Sequence, residues 1–252
     1  MDVKRTITGI LALTEHSTKK LLLSRKILIL ALVAAFIALV MGYAGAQDVD
    51  PLEDGTDLMD TLILFFFMPV VAMIYGSSLI RDEIDDRSIT HVATAPLDRV
   101  YAYIGYYLPL TLTVVVSMIV VTTVGFLAFF AQHEIGSEAI EVYSEILALT
   151  ILGSIVYSSL FLAISVFFKK PVFFGLFYAF IWEGLIGSLP GVIQKASVKH
   201  YLRSIGSEWV DYGGMSGFED ATGFGDSLAV LIVLTVAFLI LGALMFREKE
   251  LS

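Results

Sequence analysis

Six apolar runs, each near the roughly 20 residues that cross about 30 Å of hydrocarbon, dominate this chain and leave few folds open to it. They are Ile27 to Ala46, Thr61 to Ile80, Ile104 to Ala131, Ile146 to Phe168, Val172 to Pro190 and Leu228 to Phe246. The third is long enough to tilt or kink. Alternation is weak and Leu, Ala and Gly are abundant, which predicts helices; a barrel strand would alternate lipid-facing and lumen-facing residues over about 10 residues. The expected fold is therefore an all-α membrane protein of six transmembrane helices. With 57% apolar and 16% charged residues and a mean hydropathy of +0.83, the composition excludes an ordinary soluble domain.

Lys and Arg concentrate on the cytoplasmic side of membrane proteins, so their positions predict orientation. Of the 16 such residues, all but Lys195, Lys199 and Arg203 flank the runs on one side. Both termini are therefore expected in the cytoplasm, in a multi-pass protein of the cell membrane. The first run starts only at Ile27, lacks a clear small-residue cleavage pattern and is about twice a signal-peptide core, so it is expected to stay in the mature protein. The opposite face carries Asp48, Asp50, Glu53, Asp54, Asp57 and Asp60 before the second run, and Glu134, Glu138, Glu141 and Glu145 before the fourth. This accounts for the net charge of -9. It reads as a solvated outer surface or as a cation-attracting vestibule, the former being the simpler. Nothing points to nucleic acid.

The chain is read as a single transmembrane domain over 1–252. Within 1–25, Val3, Ile7, Ile10, Leu11 and Thr14 share a helical stripe beside Lys4, Arg5, Lys19 and Lys20, predicting an interfacial helix. The segment 191–226 is polar: Val192 to Ile205 suits a short interfacial or re-entrant helix, while Gly213, Gly214, Gly217, Gly223 and Gly225 predict irregular backbone. Between the second and third runs, 81–99 forms a dense polar island. Arg81 with Asp85 and Glu83 with Arg87 are opposite-charge pairs at helical spacing. Ser88 can cap a second turn carrying Ile89, Val92 and Ala93, with Thr90 and His91 also in the island, before Pro96 ends it and Arg99 follows. Two short helices around a bend are expected.

Catalytic chemistry finds little purchase. Gly214-Met215-Ser216-Gly217 has a Gly-x-Ser-Gly pattern, but none of His16, His91, His133 or His200 falls in a predicted span where it could serve as base. His133-Glu134 lacks the second histidine of a zinc helix, and without cysteine there is no thiolate ligand. No Gly-rich loop ending in Gly-Lys-Ser or Gly-Lys-Thr is present, so ATP binding is not expected in this chain. Glu183, in Phe180-Ile181-Trp182-Glu183-Gly184, is the one acidic residue expected well inside a span. Such a charge costs about 2.5–3.5 kcal/mol at mid-membrane, so it needs a bundle-facing site, a partner or a proton. Glu183 and neighbouring Trp182 read equally well as a gating contact or as a packing contact.

The island and its flanking spans resemble the permease subunits of type 2 ATP-binding-cassette (ABC) exporters. The likeness rests on Glu83 in a polar helix, on Ser88-Ile89-Thr90 where many members carry Gly-Thr, and on Pro96-Leu97-Asp98-Arg99. Trp182-Glu183-Gly184-Leu185, Leu189-Pro190-Gly191 and Ser197 to Arg203 are similar in order and spacing to one branch of that family. Tyr106 after Gly105 departs from a common Lys. The resemblance implies six spans behind an interfacial helix, a separate cytoplasmic ATPase in two copies carrying the ATP and Mg, and a second copy of the permease. The chain itself would then hold no cofactor and no catalytic residue. It further implies that Arg81, Glu83, Ile84, Arg87, Ser88, Ile89, Thr90, His91, Pro96 and Arg99 form the coupling element, with cargo exported across the membrane. A gradient-driven carrier or channel, and a non-transporting scaffold, remain as alternatives.

Overall fold

The computed structural model describes residues 14, 18, 21, 26–85, 99–189, 191–218 and 220–248, without the side chains of residues 78, 80–85 and 99. Six helices in it are long and apolar enough to cross a membrane: span 1 (Lys26–Gly45), span 2 (Glu53–Ser77), span 3 (Val100–Gln132), span 4 (Ser137–Phe167), span 5 (Pro171–Ser188) and span 6 (Phe224–Glu248). The protein is thus an all-α multi-pass membrane protein. Of the expected interfacial helix only Thr14, Thr18 and Leu21 are described, each helical.

Span 4 is the hub, packed against spans 2, 3 and 6, with 72% of its apolar window buried. Its sequence explains this role, because Gly153, Ser154, Ser158, Ser159, Ala163 and Ser165 give it a small-residue surface that lets neighbouring helices approach closely. A Cβ on Gly153 would come within 2.7 Å of Met68 Sδ. Three of the hydroxyls are satisfied within the helix, since Ser154 donates to Thr150 O (2.7 Å), Ser159 to Val156 O (2.7 Å) and Ser165 to Leu162 O (2.6 Å). Spans 1, 5 and 6, with only 11%, 28% and 17% buried, present apolar faces outward. Leu32, Leu39, Phe173, Phe177 and Val233 on these faces have the surroundings of lipid-facing residues. Pro109 lies inside span 3, where Thr113 Oγ1 bonds its carbonyl at 2.7 Å.

The bundle has two distinct ends. At one, loops around residues 46–52, 130–136 and 189–223 gather; at the other lie the termini of spans 2 and 3 that enclose the polar island. The first can be called the acidic end. Two expectations need correction there. Span 2 begins at Glu53, eight residues before the apolar run, and span 4 at Ser137, nine before its run. Glu53, Asp54, Asp57 and Asp60 therefore belong to the second helix itself and do not precede it, as Glu138, Glu141 and Glu145 belong to the fourth. The start of span 2 is fixed by Asp50, whose Oδ1 accepts from the N–H groups of Leu52 (3.0 Å) and Glu53 (3.2 Å). The first-turn donors of a helix otherwise lack partners.

Candidate functional site

Span 5 starts with Pro171 at its first turn, passes through π-helical geometry over Phe177–Leu185, and ends at a short turn. Gly191, at φ 84°, reverses the chain in a conformation that favours glycine. A 3-10 segment, Gly191–Ala196, then leads into the short helix Val198–Trp209, capped by Ser197, whose Oγ accepts from His200 N at 3.2 Å. The α-helix thus lies later than the Val192 to Ile205 expected for it, and after it, among the described residues, the glycine-rich stretch holds only the 3-10 turn Gly213–Met215 before span 6. The helix Val198–Trp209 is strongly amphipathic: Val198, Leu202 and Ile205 are buried against the bundle.

Glu183 is buried where span 5 meets this helix. Its Oε1 accepts from Tyr178 Oη (2.5 Å) and Val198 N (3.0 Å), and its Oε2 from Lys199 N (3.0 Å). A carboxyl group at a helix N-terminus satisfies the first-turn N–H groups and is favoured by the helix dipole, which offsets part of the cost of burying it. Trp182 adds a second tie, its Nε1 donating to Ala196 O at 2.9 Å. Both residues singled out in span 5 thus fasten the 191–209 segment to the bundle.

Asp60 is a second buried carboxylate, and sequence reasoning missed it. It stands in span 2, 2% exposed, facing the same short helix. Arg203 Nη2 is 3.5 Å from its Oδ2, and its Oδ1 has no hydrogen-bond partner. A cleft of about 230 Å³ opens here, lined by Asp60, Thr61, Leu62, Phe65, Phe66, Gly184, Lys199 and Arg203. Lys199 Nζ sits 4.8 Å from the Phe65 ring centroid and donates to Ser188 Oγ at 3.2 Å. Burial, then the neighbouring Arg203 charge, hold the Lys199 ammonium below the ordinary lysine range, opposed by Asp60 and Glu183.

Carboxylates clasp backbone elsewhere on this end as well. Glu53 Oε2 accepts from Gly213 N (2.6 Å), and Asp57 Oδ1 from Gly214 N. Gly213 sits at φ 67°, and a Cβ there would meet Asp57 Oδ1 at 2.7 Å, so the turn is built for glycine. Asp220 Oδ2 holds Gln194 Nε2 (2.9 Å), and Glu208 Oε1 holds Phe224 N at the start of span 6 (2.7 Å). Part of the acidity read as a solvated surface is therefore stitching. His200, buried beneath the clasp, shares a 2.9 Å hydrogen bond with Thr222 Oγ1; burial and the Lys195 charge lower its pKa.

The island lies at the other end. Helix Met68–Asp85 continues past span 2 and carries Arg81, Glu83 and Ile84, while Arg99 opens the helix of span 3. Arg87, Ser88, Ile89, Thr90, His91 and Pro96 lie outside the described residues. The structure therefore groups Trp182 and Glu183 with Asp60, Lys199 and Arg203, and separates them from the island by the length of the bundle. Residues 19–183, more than half of the chain, match the model of the ABC-2 family transporter proteins. No curated protein matches the chain.

Proposed function

The chain belongs to the ABC-2 family of transporter proteins and is a transmembrane component of an ABC transporter; from that premise we propose that it is the permease of an ATP-driven exporter. A separate cytoplasmic ATPase, in two copies, binds the ATP and Mg, and two permease chains form one path. Both termini and the polar island face the cytoplasm. The ATPase engages the element made by Arg81, Glu83, Ile84, Arg87, Ser88, Ile89, Thr90, His91, Pro96 and Arg99, and its closure moves spans 2 and 3.

The observation that carries this reading is the continuity of span 2 with the island. One unbroken helical run leads from Glu53, beside the cleft, to Asp85, within the island. A continuous helix of this kind carries a push at one end towards the other. The π-helical stretch Met59–Phe67 within it is a weaker segment where the helix can yield. Glu183 and Trp182 act in this scheme by holding the 191–209 segment over the end of the path. A carrier reading would want paired broken helices with ionisable groups near mid-membrane. The buried carboxylates instead cluster at the acidic end, which favours the ATP-driven reading.

The test is capture of the ATPase subunit by tagged permease from detergent-solubilised membranes. Glu83→Arg and Ile89→Trp are expected to abolish capture while expression and membrane insertion persist. Undiminished capture by both variants would remove the island from the coupling role.

A further inference from the structure

Span 5 has no length to spare. Its 18 residues rise about 27 Å at 1.5 Å each, so the helix needs all of them to cross about 30 Å of hydrocarbon. Trp182 and Glu183 stand six and five residues before its end at Ser188, which puts them roughly 8 Å inside that boundary. The chain that follows comes back to their level. Trp182 Nε1 donates to Ala196 O at 2.9 Å, and the Glu183 carboxyl accepts from Val198 N and Lys199 N at 3.0 Å each. The 3-10 segment Gly191–Ala196 is therefore re-entrant: it turns at the end of span 5 and descends beside it, before the short helix climbs out towards Asp60.

Backbone outside a regular α-helix occurs at membrane depth only where protein buries it or where it borders water, because lipid tails offer it no hydrogen bonds. This chain does not bury it: Gly191, Val192, Ile193, Lys195 and Ala196 are all exposed, Val192 at 81%. Lys195 decides between the covers that remain. Among the described residues its ammonium has no ion-pair partner. The carboxyl groups bonded to the segment and its flanks are already engaged, Glu183 by three donors and Asp220 Oδ2 by Gln194 Nε2 and Gly191 N. An ammonium at this depth is costly in lipid and needs an acceptor under protein, whereas water supplies one. The short helix repeats the pattern. Lys199 and Arg203 line the cleft of about 230 Å³ beside Asp60, and at about 30 Å³ a molecule it has room for several waters. The apolar Val192 and Ile193 fit such a setting, since apolar side chains form the constrictions of aqueous pores.

We infer that Gly191–Ala196 forms the wall of a water-filled passage within the thickness of the membrane, with the Lys195 ammonium projecting into it. The assignment deepens the shared path proposed above by naming a stretch of its wall, and it rests on that proposal only for what the passage carries.

The chain has no cysteine, so a single introduced thiol takes a nitroxide label at one chosen position. With the full chain in liposomes, collision of the label with a water-soluble nickel chelate reports water, and collision with oxygen reports hydrocarbon. Lys195→Cys and Val192→Cys carry the label within the segment. Ile181→Cys, next to Trp182 and 43% exposed, marks the same level on span 5, and Gly217→Cys marks bulk water. All four positions are exposed, so no buried contact is lost. Nickel collision at Lys195→Cys and Val192→Cys is expected to approach that at Gly217→Cys and to exceed that at Ile181→Cys about tenfold or more, because hydrocarbon excludes a polar complex. Collision dominated by oxygen in the segment would place it in lipid, and weak collision with both agents would place it under protein, a second copy included; either overturns the inference. Nickel collision as strong at Ile181→Cys as at Lys195→Cys would set the segment outside the hydrocarbon and overturn it as well. No ATPase is present, so this measurement and the capture of the ATPase fail independently.

Discussion

Glu183 and Asp60 face the same short helix, and they are treated in opposite ways. Glu183 receives three hydrogen bonds at 2.5–3.0 Å, two of them from the first turn of that helix. Asp60 has one long ion pair and a buried oxygen with nothing attached. Burying a carboxylate is costly in both places. The first site offsets that cost with fixed donors and becomes a fastening; the second leaves it partly unmet. The same residue chemistry therefore sits in two environments, distinguished by the donors around it.

That contrast can be broken most forcefully at Glu183. Replacing it with Leu leaves Tyr178 Oη and the N–H groups of Val198 and Lys199 without an acceptor, and should cost about 3–5 kcal/mol. A thermal unfolding midpoint in detergent that stays at the wild-type value would refute the fastening role. Trp182→Phe removes one hydrogen bond to Ala196 O and should cost about 1 kcal/mol in the same assay.

A pH scan sharpens the comparison next, through His200. Its folded pKa lies below the ordinary 6.5, so the unfolded chain takes up the proton first as the pH falls. Stability from the buried neutral ring is complete above about pH 6.5, and it declines as the pH drops from there through the folded pKa. Relative to His200→Gln, the wild-type chain should lose thermal midpoint over that window, and an unchanged difference between the two would remove His200 from the account. The smallest effect belongs to Asp60→Asn, which should leave stability within about 1 kcal/mol of wild type, since little bonding is lost. A loss as large as that of Glu183→Leu would erase the distinction between the two carboxylates.

Six spans, the buried position of Glu183 and the short helix after span 5 were legible in the sequence, because apolar length and amphipathic spacing carry them. Asp60 was not, and the reason is physical. Hydropathy marks where a helix becomes greasy and not where it begins, so the polar first turns of span 2 read as loop. The signal was present in Asp50-Pro51-Leu52-Glu53, a capping residue followed by Pro at the first turn and an acid three positions on. Starting the helix there places Asp57 and Asp60 three apart on one face, and Asp60 in the span. The clasp of Glu53 and Asp57 on Gly213 and Gly214 bridges some 160 residues. No local pattern reports contacts of that separation. The island shows the converse: its charges and Pro96 were conspicuous in the sequence, while its side chains lie outside what the structure describes.

ATP hydrolysis by the reconstituted complex tests whether an external ATPase drives this bundle through the island, as proposed above. Hydrolysis in the complex is expected to differ from that of the isolated ATPase, and Glu83→Arg is expected to return it to the isolated value while the membrane chain keeps its unfolding midpoint. Hydrolysis indifferent to the presence of the chain, or unchanged by Glu83→Arg in an intact complex, would contradict it.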